Sequence, residues 1–215
     1  MDDAAGLTLF HKKLQRDEVF LDKALEYRSK SSSTSTSSIH TNDSELAAFC
    51  AYACAFPDSC LCLIDTYDTL SSGLQNFLFV AKALDDFGYQ PKGVRLDSGD
   101  LCALSGACRR AFERVVAEEP SREPAFGNGK LTIVASNDIN EEALVEFSRI
   151  ANANTNSGSG HGLTAFGIGT NLVTCQAQPA LGCVYKLGEC RSKSETKQTP
   201  KSNTASLSFC VVVVL

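Results

Sequence analysis

From residue 43 onward, short apolar runs alternate with helix-spaced patterns, and each run stops at a polar, turn-prone group. Cys60 to Ile64 predicts a compact strand that ends in Asp65-Thr66-Tyr67-Asp68. Gly93-Val94-Arg95-Leu96 predicts a second, running into Asp97-Ser98-Gly99-Asp100. Leu131 to Ala135 is the third, closed by Ser136-Asn137-Asp138, and residues 163–167 are the fourth, closed by Gly167-Ile168-Gly169-Thr170. Between them lie helical patterns. One opens at Asp43-Ser44-Glu45, carries Leu46, Phe49, Cys50, Ala53 and Cys54, and stops before Pro57. Others cover residues 74–87, with Gly88 as the stop, residues 101–117, and Ile139 to about Ile150. Ser71-Ser72-Gly73 reads as a turn, and Pro120, Pro124, Gly127 and Gly129 mark a surface loop.

Strand and helix alternating in this way predict an α/β fold with a parallel sheet and outer helices. Four such units are half of an eight-fold barrel, so the expected architecture is a partial (β/α) barrel, with an open sheet as the other solution.

The flanks read differently. Residues 1–28 carry a helical apolar stripe (Leu9, Phe10, Leu14, Val19, Phe20, Leu21, Ala24, Leu25) with a break expected near Arg16-Asp17. Residues 29–38 are almost all serine and threonine and cannot bury enough apolar surface to offset their ordering entropy, which predicts a linker or disordered insertion. The expected division is therefore a helical segment and linker over 1–42, an α/β domain over 43–190 and an irregular tail over 191–215. Val184 to Leu187 is a candidate short strand. Leu207 to Leu215 is strongly apolar but far short of the ~20 residues of a membrane helix.

Charge changes the picture little. The chain has 20 basic and 25 acidic residues, net −5, with no basic block, so no nucleic-acid surface is expected. A small anion can still be held by one or two local cations. The ten cysteines include no C-x-x-C pair and no histidine at zinc-finger spacing, which reads as small buried thiols rather than a metal site. With no signal-peptide pattern, the expected compartment is the cytoplasm. His11, His40 and His161 lie in charged or low-complexity surroundings and read as surface residues.

In a parallel sheet the four polar ends share one rim, and ligands collect there. Arg95 is the single cation among them and suits a carboxylate or phosphate, from a ligand or from Asp97 or Asp65. Asp65, Asp97 and Asp138 suit sugar hydroxyls, magnesium or a developing positive charge. For Asp100 and Asp138 helix capping is the alternative. The Gly167-Ile168-Gly169-Thr170 turn allows backbone amides to approach a phosphate, or is a plain tight turn.

These segments, together with Ala165 to Cys175 and Gln178 to Leu187, resemble the nicotinate phosphoribosyltransferase family over about residues 45 to 187. The resemblance implies a barrel-like type II phosphoribosyltransferase fold. It also implies a reaction joining nicotinate to 5-phosphoribosyl-1-pyrophosphate, coupled to ATP hydrolysis, in NAD biosynthesis. Carried onto this chain, it makes Arg95, Asp97 and Asp65 catalytic, with magnesium nearby. Tyr67, Ser98, Gly99, Ser136, Asn137 and Asp138 would bind substrate and ribose, and Gly167, Gly169 and Thr170 the 5′-phosphate. The family is dimeric and places a sheet domain and a phosphorylatable histidine before this region, neither of which has a matching position here. The resemblance is therefore to an incomplete copy.

Overall fold

The computed structural model describes residues 19–31, 41–153, 161–169 and 171–172, together with strands at 184–192 and 207–214. The chain divides into two compact units, Met1–Thr174 and Cys175–Leu215.

The first unit opens with a helix over residues 19–31 (α1), so the serine-rich tract begins as helix, with Ser29 Oγ donating to the Glu26 carbonyl at 2.8 Å. The rest of that tract and the expected break near Arg16-Asp17 lie outside the described residues. α2 (Asp43–Ala55) starts where Asn42 Oδ1 accepts from Glu45 N at 2.9 Å, and it ends before Pro57. β1 (Leu61–Leu63) follows.

Ser71-Ser72-Gly73 is not a turn. Thr69–Gly73 winds as a π-helical turn straight into α3 (Leu74–Asp86), held by Asp68 Oδ1, which accepts from Leu70 N and Ser71 N. Gly73 is there because the helix abuts the preceding strand end. A Cβ at that position would sit 1.9 Å from the Ile64 carbonyl oxygen. α3 closes in a Schellman motif: Gly88, at φ 81°, donates to the Asp85 carbonyl, and Tyr89 N donates to Leu84.

β2 (Gly93–Leu96) leads to α4 (Leu101–Glu118), β3 (Thr132–Ala135), α6 (Glu141–Ala153) and β4 (Ala165–Phe166), with the short α5 (Glu123–Phe126) after α4. The stretch expected as a surface loop is thus helical in part, because its prolines stand at the first positions of helical turns. It is also packed. Phe126 is fully buried, and Arg122 reaches Glu119, Asp85 and the Tyr27 hydroxyl, tying this segment to α3 and α1.

The sheet order is β1-β2-β3-β4, all parallel, with Leu63, Arg95, Val134 and Ala165 level across it. Right-handed crossovers that always step in one direction put every connecting helix on the same face. That face carries Cys62, Ile64, Val94, Leu96, Ile133 and Ala135, none more than 2% exposed, against Phe77 and Phe112 of the core. The other face carries Leu63, 37% exposed, and Arg95, with Val134 and Ala165 half-buried. Consecutive strands of a (β/α) barrel have this order, with the uncovered face turned inward.

Cys50, Cys60, Cys62, Cys102 and Cys108 are free thiols, as the spacing predicts. Burial pushes Cys50 and Cys108 up to about 12, so they pack as small apolar groups. No helix among the described residues is long and apolar enough to cross a membrane. In the second unit β5 (Val184–Ser192) pairs antiparallel with β6 (Leu207–Val214). The stretch expected to be an irregular tail therefore contains a strand.

Candidate functional site

The four strand ends are joined by side chains, one to the next. At the end of β1, Asp65 Oδ2 accepts from Asp97 N at 2.9 Å and from Ser98 Oγ at 2.5 Å. This carboxylate therefore shapes the loop after β2. Its other oxygen accepts no hydrogen bond among the described residues.

At the end of β2, Asp97 Oδ1 accepts from Arg95 Nη2 at 2.7 Å and from Ser136 Oγ at 2.5 Å. Arg95 Nε donates to that same Ser136 Oγ at 2.6 Å. The three groups form a closed ring of contacts from β2 to β3. Burial opposes ionisation of Asp97, but the Ser136 hydroxyl and then Arg95 outweigh it and hold the carboxyl below its usual range. Arg95 remains 45% exposed on the open face, so part of its guanidinium is free to meet an anion. Ser136 is nearly buried, at 6% exposure, and acts as the joint between two strands.

At the end of β4, Gly167 N donates to the Ala135 carbonyl at 2.8 Å, and a Cβ on Gly167 would lie 3.3 Å from Ser136 Cβ. Glycine thus keeps the last strand end close against Ser136. Gly169 has open space around it, and Thr170 lies outside the described residues.

Between these, Asn137 and Asp138 are both exposed and both left-handed, at φ 69° and 52°. Two consecutive non-glycine residues in this region cost about 1–2 kcal/mol each, and such strain concentrates at functional turns. Asp138 does not cap the next helix. Asn140 does, its Oδ1 accepting from Ala143 N at 2.9 Å. Asp100 does cap α4, accepting from Ala103 N at 2.9 Å. Gly99, at φ 78°, makes the bend between Ser98 and that cap. Tyr67 stands 51% exposed beside the rim.

Asp65, Asp97, Arg95, Ser98, Ser136 and Gly167 are therefore brought into one connected row, while Tyr67, Asn137, Asp138 and Gly169 flank it. The level of Ser136 was readable from its place at a strand end; its role as acceptor for Arg95 and donor to Asp97 was not, since it depends on the register of β2 against β3. A separate groove of ≈ 600 Å³ runs between α4 and α6, lined in part by Cys102, Arg110, Phe147 and His161. It lies in the helical layer and meets the rim only at Gly99 and Asp100.

The profile of the "Nicotinate phosphoribosyltransferase (NAPRTase) family" matches residues 14–208. A nicotinate phosphoribosyltransferase of Dictyostelium discoideum is 48% identical over 167 residues, covering 78% of this chain and 26% of that protein. Nicotinate phosphoribosyltransferase 1 of Arabidopsis thaliana is 50% identical over 157 residues, 73% of this chain and 26% of its own length. The crystal structure of human nicotinic acid phosphoribosyltransferase superposes with a TM-score of 0.57 at 35% identity, over 69% of this chain and 27% of that one. The chain spans about a quarter of the length of the relatives it matches. With a profile match over most of its residues, the chain belongs to the nicotinate phosphoribosyltransferase family.

Proposed function

We propose that this chain supplies the phosphoribosyl-binding rim of a nicotinate phosphoribosyltransferase. The overall reaction is nicotinate with 5-phosphoribosyl-1-pyrophosphate and ATP giving nicotinate mononucleotide and pyrophosphate, a step of NAD biosynthesis. The observation that carries the reading is the row from Asp65 through Asp97, Arg95 and Ser136 to Gly167, in a chain of this family.

In the chemistry proposed, the nicotinate ring nitrogen bonds to the anomeric carbon as the bond to pyrophosphate breaks, and the leaving group keeps the electron pair. Positive charge grows on the ribose ring, where carboxylates stabilise it. Asp97, ionised by its Ser136 and Arg95 contacts, stays charged at neutral pH for that purpose. Arg95 turns its exposed guanidinium edge to a phosphate or to the nicotinate carboxylate. Gly167 and Gly169 admit the 5′-phosphate to backbone amides, with Thr170 adding a hydroxyl, while Asn137 and Asp138 face the ribose hydroxyls. Ser98, Gly99 and Tyr67 complete the wall.

Asp65 and Asp97 each keep one carboxylate oxygen outside the hydrogen bonds described, on adjacent strand ends, which fits a magnesium ion shared with pyrophosphate and water. Magnesium would neutralise the leaving group. No such fit exists for ATP coupling. The only histidine among the described residues, His161, lies in the groove between α4 and α6, with its ring 6.1 Å from that of Phe147, outside the row of strand-end side chains. That observation favours a second reading, in which this chain binds phosphoribosyl groups or a companion subunit without turnover. A complete protein of this family would act as a homodimer in the cytoplasm.

Calorimetric titration with 5-phosphoribosyl-1-pyrophosphate and magnesium tests the binding, alongside Arg95→Ala and Asp97→Asn. Saturable binding weakened tenfold or more by either substitution is expected. Binding absent at millimolar ligand, or indifferent to both substitutions, overturns the assignment. Formation of nicotinate mononucleotide by the same preparation separates the enzyme from the binding module.

A further inference from the structure

Three of the buried polar groups outside the rim meet in one place, where the first turn of α2 meets the first turn of α3. Glu45 is 4% exposed, Ser72 5% and Asn76 fully buried. Glu45 Oε2 accepts from Ser72 Oγ at 2.6 Å and from Asn76 Nδ2 at 3.0 Å. Ser72 Oγ in turn accepts from Asn42 N at 2.9 Å, and the second Asn76 proton goes to the Asn42 carbonyl at 3.0 Å. Those two acceptors fix which way the Asn76 amide points, so its oxygen is the free end.

Every proton of the Ser72 hydroxyl and the Asn76 amide is thereby committed. What remains on Glu45 and Asn76 is only acceptors. Glu45 Oε1 and Asn76 Oδ1 are buried with no hydrogen-bond partner, and so is the hydroxyl oxygen of Thr41, the residue before Asn42. A buried carboxylate with an empty oxygen is costly unless positive charge meets it, and an unsatisfied buried acceptor costs roughly 1–3 kcal/mol. Burial pushes the Glu45 carboxyl above its usual range against the pull of its two hydrogen bonds, and among the described residues no lysine, arginine or histidine offsets that.

We propose that this junction of α2 and α3 is a binding site for a monovalent cation, sodium or potassium, held by Glu45 Oε1 and Asn76 Oδ1. The donor set consists of oxygen alone, which suits a hard cation and excludes the soft metals. With Glu45 ionised, its net charge is a single negative unit. A monovalent ion neutralises it, whereas a divalent ion would leave an unpaired positive charge in the interior, at the cost that burial imposes on any lone ion. A proton on Oε1 supplies one donor, while a cation can meet several oxygens at once. The site ties the start of α2 to the start of α3, and it is independent of what the rim binds.

The test is thermal unfolding of the chain at pH 7.5 and constant ionic strength, in potassium or sodium chloride against tetramethylammonium chloride. Tetramethylammonium carries the same charge but its methyl groups keep oxygen ligands away from it, so it serves as the control. For wild type, Tm is expected to rise by about 3 °C between 1 and 100 mM potassium or sodium and to saturate. Glu45→Gln, which puts an amide donor where Oε1 stood, is expected to remove the difference between the salts. Equal Tm of the wild type in all three salts overturns the proposal and leaves a proton or water as occupant. So does a Glu45→Gln variant that keeps the cation dependence. Should Glu45→Gln not fold, the wild-type comparison alone still decides.

Discussion

The two faces of one four-stranded sheet have opposite fates. The face under the helices is sealed, with Cys62, Val94, Leu96, Ile133 and Ala135 packed on Phe77 and Phe112. The other face and its rim leave Leu63, Arg95 and Tyr67 open. Residues one position apart on the same strand, such as Val94 and Arg95, thus serve different ends. Stability resides on the sealed side because apolar burial there is complete, and chemistry on the open side because polar groups there are organised yet accessible.

The sharpest way to break this division is at Gly73, where a methyl group would meet the Ile64 backbone at 1.9 Å. Helix propensity favours alanine there by about 1 kcal/mol, but the clash is against rigid main chain and wins. Gly73→Ala is expected to lose ~4 kcal/mol or more and its cooperative thermal transition; an unchanged Tm refutes the packing. Next comes Phe112→Ala, with an expected loss of about 3–5 kcal/mol in denaturant unfolding and no specific change at the rim.

Smaller effects lie on the open side. Asp97→Asn is expected to change stability by less than ~1 kcal/mol while weakening phosphosugar binding tenfold or more. If it unfolds the chain as Phe112→Ala does, the two faces are not separable. Because the Asp97 carboxyl lies below its usual range when folded, its contribution is present at neutral pH and lost as pH falls through the folded value, below about 4. Wild type and Asp97→Asn should therefore converge in stability on acidification from pH 6 to pH 3. The smallest effect is at Asp138. Asp138→Gly relieves a left-handed penalty of about 1–2 kcal/mol and adds about 1 kcal/mol of unfolded-chain freedom, for a net gain near 0.5 kcal/mol in Tm-derived stability. Asp138→Val should instead destabilise.

Much of this was legible in the residues. The four strands, the helices after them and the stop at Gly88 follow from apolar spacing and glycine placement, which are local. So does Asp100 as a cap, one of two readings open at that position. Thr69–Gly73 and Pro120–Gly129 were misread because serine, glycine and proline signal a break only when nothing packs on them. Here Gly73 is pressed against β1 and Phe126 is driven into the core. Glu45 and Asn76 carried a faint signal, as polar residues within the apolar faces of two helices, but their meeting depends on how those helices cross.

The amino-acid order on its own determined the α/β class, the one rim on which the polar strand ends gather, and the family motifs along that rim. Tertiary structure alone decided that Arg95, Asp97 and Ser136 close into a ring, and that Glu45 is buried beside Asn76. The reason is range. Periodicity and turn chemistry act over a few residues, whereas the Arg95–Ser136, Ser136–Asp97 and Asn76–Glu45 bonds join groups 31 to 41 positions apart and exist only once parallel register and helix packing are set.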